Sequence, residues 1–184
     1  MNTFKESSER KFLHFFQNDD NVFHYLDLEE SEKFEAINVN ISFKIPDFHK
    51  SIATPKGDLY LIGGNLPDSG MKSQKIYKYD FSNNTLIYCA SLKYGRSSHS
   101  VCFNNKYIYV MGGTKFINLG FLNQQEVTNR CERFEISTNR VEEIRPMNYE
   151  ACSFACCSFN GRYLLKFGGI GDQSTITHDI VKSY

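Results

Sequence analysis

The chain is laid out as short apolar runs separated by turn residues, the signature of strands. Three of these runs end alike. "DLYLIGG" from Asp58, "KYIYVMGG" from Lys106 and "RYLLKFGG" from Arg162 each stop on a glycine pair. Upstream of each lies a small, polar segment: "HKSIAT" from His49, "RSSHSVCF" from Arg96 and "ACSFACCSF" from Ala151. Between segment and run sits a tight turn, "PKGD", "NNK" or "NGR". Gly and Asn suit the positive φ of hairpin turns. Downstream comes a longer polar loop and a further run: "KIYKYD" from Lys75, "CERFEI" from Cys131 and "DIVKSY" from Asp179. The first two continue through "SNN" and "STN" into "TLIYCA" from Thr85 and "RVEEI" from Arg140. One unit is therefore four short strands, recurring about every 50 residues as arrays do.

The N-terminal part follows the same order, one strand short. "KFLHFF" from Lys11 takes the place of the glycine-terminated run, with Phe15-Phe16 where the glycines stand. "VFHYLDL" from Val22 and "KFEAINV" from Lys33 take the third and fourth places. The units then hold 3, 4, 4 and 3 strands. A rival reading makes residues 4–17 a helix, with Thr3 and Glu6 as capping box and Phe12, Leu13 and Phe16 on one face.

Composition narrows the function. The 184 residues suffice for one domain with a sizeable core. Twenty-one basic and 21 acidic residues balance, and no long basic block occurs, so neither nucleic acid nor an anionic membrane is expected as partner. Trp is absent while aromatics make up 15%, so Phe and Tyr carry the large apolar packing. No apolar run approaches the roughly 20 residues that cross a bilayer, and the N-terminus lacks a secretory pattern. The expectation is a cytoplasmic protein. Six cysteines stand without a C-x-x-C pair, as small apolar strand residues in a reducing compartment would. The five histidines are scattered singly, so no metal, no cofactor and no catalytic constellation is expected. "MGGTK" is not a phosphate loop, having no further glycine pattern and no helix after it.

The chain resembles the kelch repeat, a four-stranded β-propeller blade. The likeness rests on Gly63-Gly64, Gly112-Gly113 and Gly168-Gly169, on Tyr79-Asp80 with Phe134-Glu135 and Tyr25-Leu26-Asp27 in equivalent places, on Arg96 and His99 of "RSSHS", and on the link "RPMNYEACS" from Arg145. Leu86, Val141 and Phe34 stand where kelch repeats usually carry tryptophan. The resemblance implies an all-β fold: a partial kelch-type propeller of about three to four four-stranded antiparallel blades, the first and last incomplete. After an N-terminal tail, 1–10, the units fall at about 11–45, 46–93, 94–147 and 148–184. Blades crowd near the axis, and a residue without Cβ lets a strand turn out there. The glycine pairs, Tyr79, Asp80 and His99 are therefore expected to be structural.

If strands alternate direction, the long loops Asn65–Gln74, Thr114–Arg130 and Ile170–His178 share one face with the links between blades. Long loops on a rigid scaffold are where binding resides. Phe116, Phe121, Tyr94, Arg96 and Tyr149 are the expected contacts for a protein partner, so the chain reads as an interaction module or scaffold. The resemblance also permits the substrate-recognition part of a multi-chain ubiquitin-ligase adaptor, a truncated propeller with no independent function, and, less readily, a sugar-binding or metal-dependent propeller enzyme. Because the first unit lacks its innermost strand and the last its outermost, residues 1–184 read as the N-terminal half of a larger ring. Either a missing C-terminal half or a second chain would then complete it.

Overall fold

The computed structural model describes residues 12–17, 21–27, 35–118, 123–171 and 179–182. All regular structure among them is β-strand. The first sheet holds β1 (Phe12–Gln17), β2 (Val22–Asp27) and β3 (Glu35–Asn38). The second holds β4 (Lys50–Ala53), β5 (Leu59–Ile62), β6 (Lys75–Asp80) and β7 (Thr85–Ser91), in that order. The third places β8 (Ser100–Asn104) beside β9 (Tyr107–Met111). After a separate hairpin of β10 (Thr114–Asn118) and β11 (Asn123–Val127), it continues with β12 (Cys131–Glu135) and β13 (Arg140–Ile144). The fourth holds β14 (Ala155–Phe159), β15 (Tyr163–Phe167) and β16 (Asp179–Lys182). Every pairing is antiparallel. These are four blades of a partial propeller, the first without a strand ahead of β1 and the last without one beyond β16 among the described residues.

The tight turns work as their residues dictate. Asn84, Asn105, Asn139 and Asn160 all take φ between 50° and 56°, a region Asn enters more cheaply than most residues. Asp80 closes the turn after β6: its carboxylate accepts from Ser82 N at 2.9 Å and from Asn83 Nδ2 at 2.7 Å. Those donors, Asn83 first, hold the Asp80 carboxyl below its usual range.

Two expectations change. Thr114–Arg130 is no plain loop, because 114–118 and 123–127 pair as a hairpin, with Lys115 opposite Glu126 and a 3.3 Å ion pair between them. "NQQEV" carries no apolar alternation, so a strand held by backbone bonds outside the main sheet leaves little trace in sequence. The helix over 4–17 does not form at 12–17, which pair with β2 instead; residues 1–11 lie outside the described residues.

The core is divided among the blade interfaces. Phe16, Phe23, Leu61, Tyr77 and Tyr79 fill the first. Tyr60, Ile62, Ile76, Ile108, Val110 and Phe134 fill the second. Met111, Cys131, Met147, Phe154 and Leu164 fill the third. The strands β4, β8 and β14 run side by side, while β7 and β13 make only slight contact, so the first strand of each blade is innermost.

The last blade differs from the one before it. Met111 closes β9 and is fully buried, whereas Phe167, its counterpart in β15, is 51% exposed. Ser100, Cys102 and Asn104 of β8 are buried, while Ala155, Cys157 and Phe159 at the same places in β14 are exposed. A blade covers the first set and none covers the second. Met111→Ala should accordingly cost about 2–5 kcal/mol, and Phe167→Ala about 1 kcal/mol or less. Denaturant midpoints of the two variants check this.

Candidate functional site

The links between blades are built on one plan. Asp47, Ser97 and Cys152 occupy equivalent positions and form paired backbone bridges with Asn65, Thr114 and Ile170, the residues just after the glycine pairs. The next residues, Phe48, Ser98 and Ser153, all take positive φ, at 52°, 51° and 53°. They join one another around the axis: Ser98 N donates to Phe48 O at 3.2 Å, and Ser153 N to Ser98 O at 2.8 Å. His49, His99 and Phe154 follow, so the third unit has Phe154 in the histidine position.

Each glycine pair is pressed by two links. A Cβ on Gly63 would lie 2.6 Å from Arg96 O and 2.7 Å from His99 Cε1, both in the following link. A Cβ on Gly64 would meet Pro46, Asp47 O and His49 of its own link. Gly112 and Gly113 repeat this against Ala151 and Phe154, and against Ser97 and His99. The crowding that excludes a side chain thus comes from the links rather than from the inner strands alone.

Arg96, expected on the binding face, is buried, at 1% exposure. It forms an ion pair with fully buried Glu132, and its Nη1 donates to Gly112 O at 3.0 Å and Arg130 O at 2.9 Å. The other Glu132 oxygen accepts from Lys93 N at 2.7 Å. Arg96 also accepts from Gly64 N at 2.8 Å and donates its own N–H to Ser73 O at 3.2 Å. The residue therefore knots the second blade to the third and is not available to a partner. Sequence reasoning missed Glu132, whose only signal is an acid at an inward strand position.

His99 is also enclosed, as a structural residue would be. Neither ring nitrogen has a hydrogen-bond partner; the Ile62 carbonyl approaches outside bonding geometry. Burial first, then the charges of Arg96 and Lys50, push its pKa well below the ordinary histidine value. The folded chain therefore keeps His99 neutral while the unfolded chain protonates it near pH 6.5. Its contribution is complete above that pH and is lost as pH falls, at up to about 1.4 kcal/mol per pH unit. Phe154 packs on Gly112 as His99 packs on Gly63, so His99→Phe fits the site. That variant should lose less stability than the parent between pH 7 and 5 in denaturant titrations.

The remaining candidates separate. Tyr94 is half-buried between two cations, with Arg130 4.7 Å and Lys93 Nζ 5.4 Å from its ring. Both cations also reach Glu143, at 2.5 and 2.8 Å. Phe116 is half-buried in β10 under Lys72 Nζ, 5.0 Å from the ring centroid. Lys72 in turn donates to Asn65 Oδ1 at 2.7 Å and Ser97 Oγ at 2.8 Å. Tyr149 is 62% exposed. Phe121 lies outside the described residues. Tyr79 is buried against Phe23.

Two residues the sequence reading passed over join this face. Leu66 and Met71 are exposed in the loop after Gly64, which is held by Leu66 N to Met71 O at 2.8 Å and Gly70 N to Leu66 O at 2.7 Å. Their signal was an apolar residue on each side of a "PDSG" turn. Chemically, the face offers apolar and aromatic surface with a few cations. No group of three or more metal-binding side chains gathers among the described residues, and no helix there is long and apolar enough to cross a membrane.

Comparison with known proteins agrees with this architecture. Residues 95–148 match the kelch motif. No curated protein matches the chain in sequence. Among solved structures, YjhT superposes with a TM-score of 0.69 at 13% identity, over 88% of this chain and 48% of YjhT. At that identity the likeness concerns the fold, and this chain spans about half the length of YjhT.

Proposed function

We propose that this chain, a kelch-repeat protein built as part of a β-propeller, is a protein-interaction module. The observation that carries the reading is apolar exposure on a rigid face. Leu66 and Met71 stand in solvent on a loop held by its own backbone bonds, and Tyr149 on a link whose backbone bonds on either side, at Met147 and Ala151, with Tyr94 and Phe116 half-exposed. Apolar groups displayed among polar neighbours are what a partner desolvates. A backbone held before binding loses little entropy on binding.

The test is a triple variant, Leu66→Ala, Met71→Ala and Tyr149→Ala, used as bait for cellular proteins. Its captured set should lose specific members by tenfold or more. Tyr88→Ala, on the outer strand β7, should lose none. If the triple variant keeps its fold and its partner set, the reading is wrong.

A second observation favours a further contact. Phe159, Phe167 and Ile170 are exposed on the far side of the fourth blade, where the equivalent positions of earlier blades are covered. A Cβ on Gly168 would meet nothing within 4 Å, while those on Gly63 and Gly112 meet the next link. This face suits another kelch blade. Phe159→Asp with Phe167→Asp should abolish concentration-dependent association of the 184-residue chain in sedimentation runs. A parent chain that stays monomeric at every concentration would remove this contact from the proposal.

A further inference from the structure

Two thiols face each other across the interface between the third and fourth blades. Cys102 lies in β8 and Cys156 in β14, neighbouring innermost strands. Strand alternation sends Cys102 toward the fourth blade and Cys156 back toward the third, and both pack in one cluster with Tyr109, Met111 and Cys131. Each thiol perturbs the acidity of the other, and Ser100 Oγ donates to the Cys156 sulfur at 3.1 Å. Cys102 is 5% exposed, whereas Cys156 is half-buried and Cys157, pointing the other way, is exposed.

We propose that Cys102 and Cys156 are a redox pair, in which a hydroperoxide oxidises Cys156 and Cys102 then closes a disulfide that staples β8 to β14. The arrangement assigns unequal roles. Cys156 is the more accessible of the two residues, and its negative form is favoured by the neighbouring Cys102 thiol, by Ser100 and by the charge of Lys50, all against the cost of burial. The neighbouring Cys156 and burial push the Cys102 thiol up, so it keeps its proton until it acts. Thiolate character directs oxidants to one sulfur among several.

The chemistry balances. The Cys156 thiolate attacks the terminal oxygen of the hydroperoxide. The S–O bond forms, the O–O bond breaks, and the leaving oxygen departs as water or an alcohol after taking up a proton. Cys102 then attacks the Cys156 sulfur. The S–S bond forms, the S–O bond breaks, and hydroxide leaves as water with the proton from Cys102. Two thiols lose two electrons, and the peroxide gains them.

The test exposes the folded 184-residue chain to stoichiometric hydrogen peroxide, alkylates the free thiols and maps cross-linked peptides by mass spectrometry without reduction. Work in a Cys157→Ser background, backed by fragment-ion assignment, keeps Cys152, Cys156 and Cys157 apart. A Cys102–Cys156 cross-link, lighter by two hydrogens and reversed by dithiothreitol, is expected as the main product. Cys102→Val, which keeps apolar packing, should leave Cys156 trapped by dimedone at least tenfold more than in the parent. Oxidation should also raise the melting temperature of the Cys157→Ser chain by several degrees, and that of Cys156→Ser by none. Oxidation confined to Cys157, a disulfide to Cys131 or Cys157, or dimedone labelling unchanged by Cys102→Val overturns the proposal.

Discussion

Replacing Arg96 by alanine is expected to cost about 3–5 kcal/mol of folding stability, read as a lower denaturant midpoint with an unchanged slope. The magnitude follows from what stays behind. Glu132 is fully buried and would be left with only the Lys93 N–H as partner. The Gly112 carbonyl would lose its bond from Arg96, and the Arg130 carbonyl one of its two. Arg96→Lys keeps the charge but not the fork that serves Glu132 and two carbonyls together, so an intermediate cost is expected. Arg96→Met combined with Glu132→Leu removes both charges and should recover part of the loss, since an apolar pair can replace a buried ion pair. Recovery stays incomplete because the Gly112 carbonyl remains unpaired, at about 1–3 kcal/mol, whereas Arg130 O keeps its bond from Gly112 N at 3.0 Å. An Arg96→Ala variant within about 1 kcal/mol of the parent would show that the pair does not hold the blades.

Gly112→Ala is expected to cost about 3 kcal/mol or more, and Gly168→Ala only about 1 kcal/mol. Both residues sit at positive φ, 59° and 66°, which costs an L-residue about 1–2 kcal/mol. They differ in what a Cβ would strike. At Gly112 it would lie 2.4 Å from Ala151 O and 2.8 Å from both Met147 Cε and Phe154 Cε1. Ala151 O cannot easily withdraw, because it accepts from Gly113 N at 2.8 Å. Forced overpacking of this kind adds about 1–3 kcal/mol. At Gly168 nothing lies within 4 Å, so conformation alone is charged. Equal costs in chemical denaturation would mean that φ, and not the press of the next link, explains the pair.

Much of the architecture was legible because it repeats and because its causes are local. Asn at 84, 105, 139 and 160 selects a left-handed turn residue whatever surrounds it, and the Tyr77–Tyr79 spacing in "KIYKYD" marks one buried face of a strand. The β10–β11 hairpin was not legible: its second strand is polar except for Val127 and is held by backbone pairing that no side-chain pattern records. The candidate contacts were legible only as residue types. An arginine beside a loop reads as an interface residue until its counter-charge is known, and Glu132 is 36 residues further on.

By itself the sequence determined four blade units, the turns within them and the glycine pairs that end each second strand in the last three, because period, alternation and turn chemistry depend on near neighbours. Tertiary structure decided which polar residues go inside, which apolar ones stay out, and which thiols meet. Arg96 is buried because Glu132 and two carbonyls converge on it. Phe167 is exposed while Met111 is not, because a blade stands beside one and not beside the other. Burial in a propeller is a property of the interface between two sheets, and one strand read alone contains only half of it.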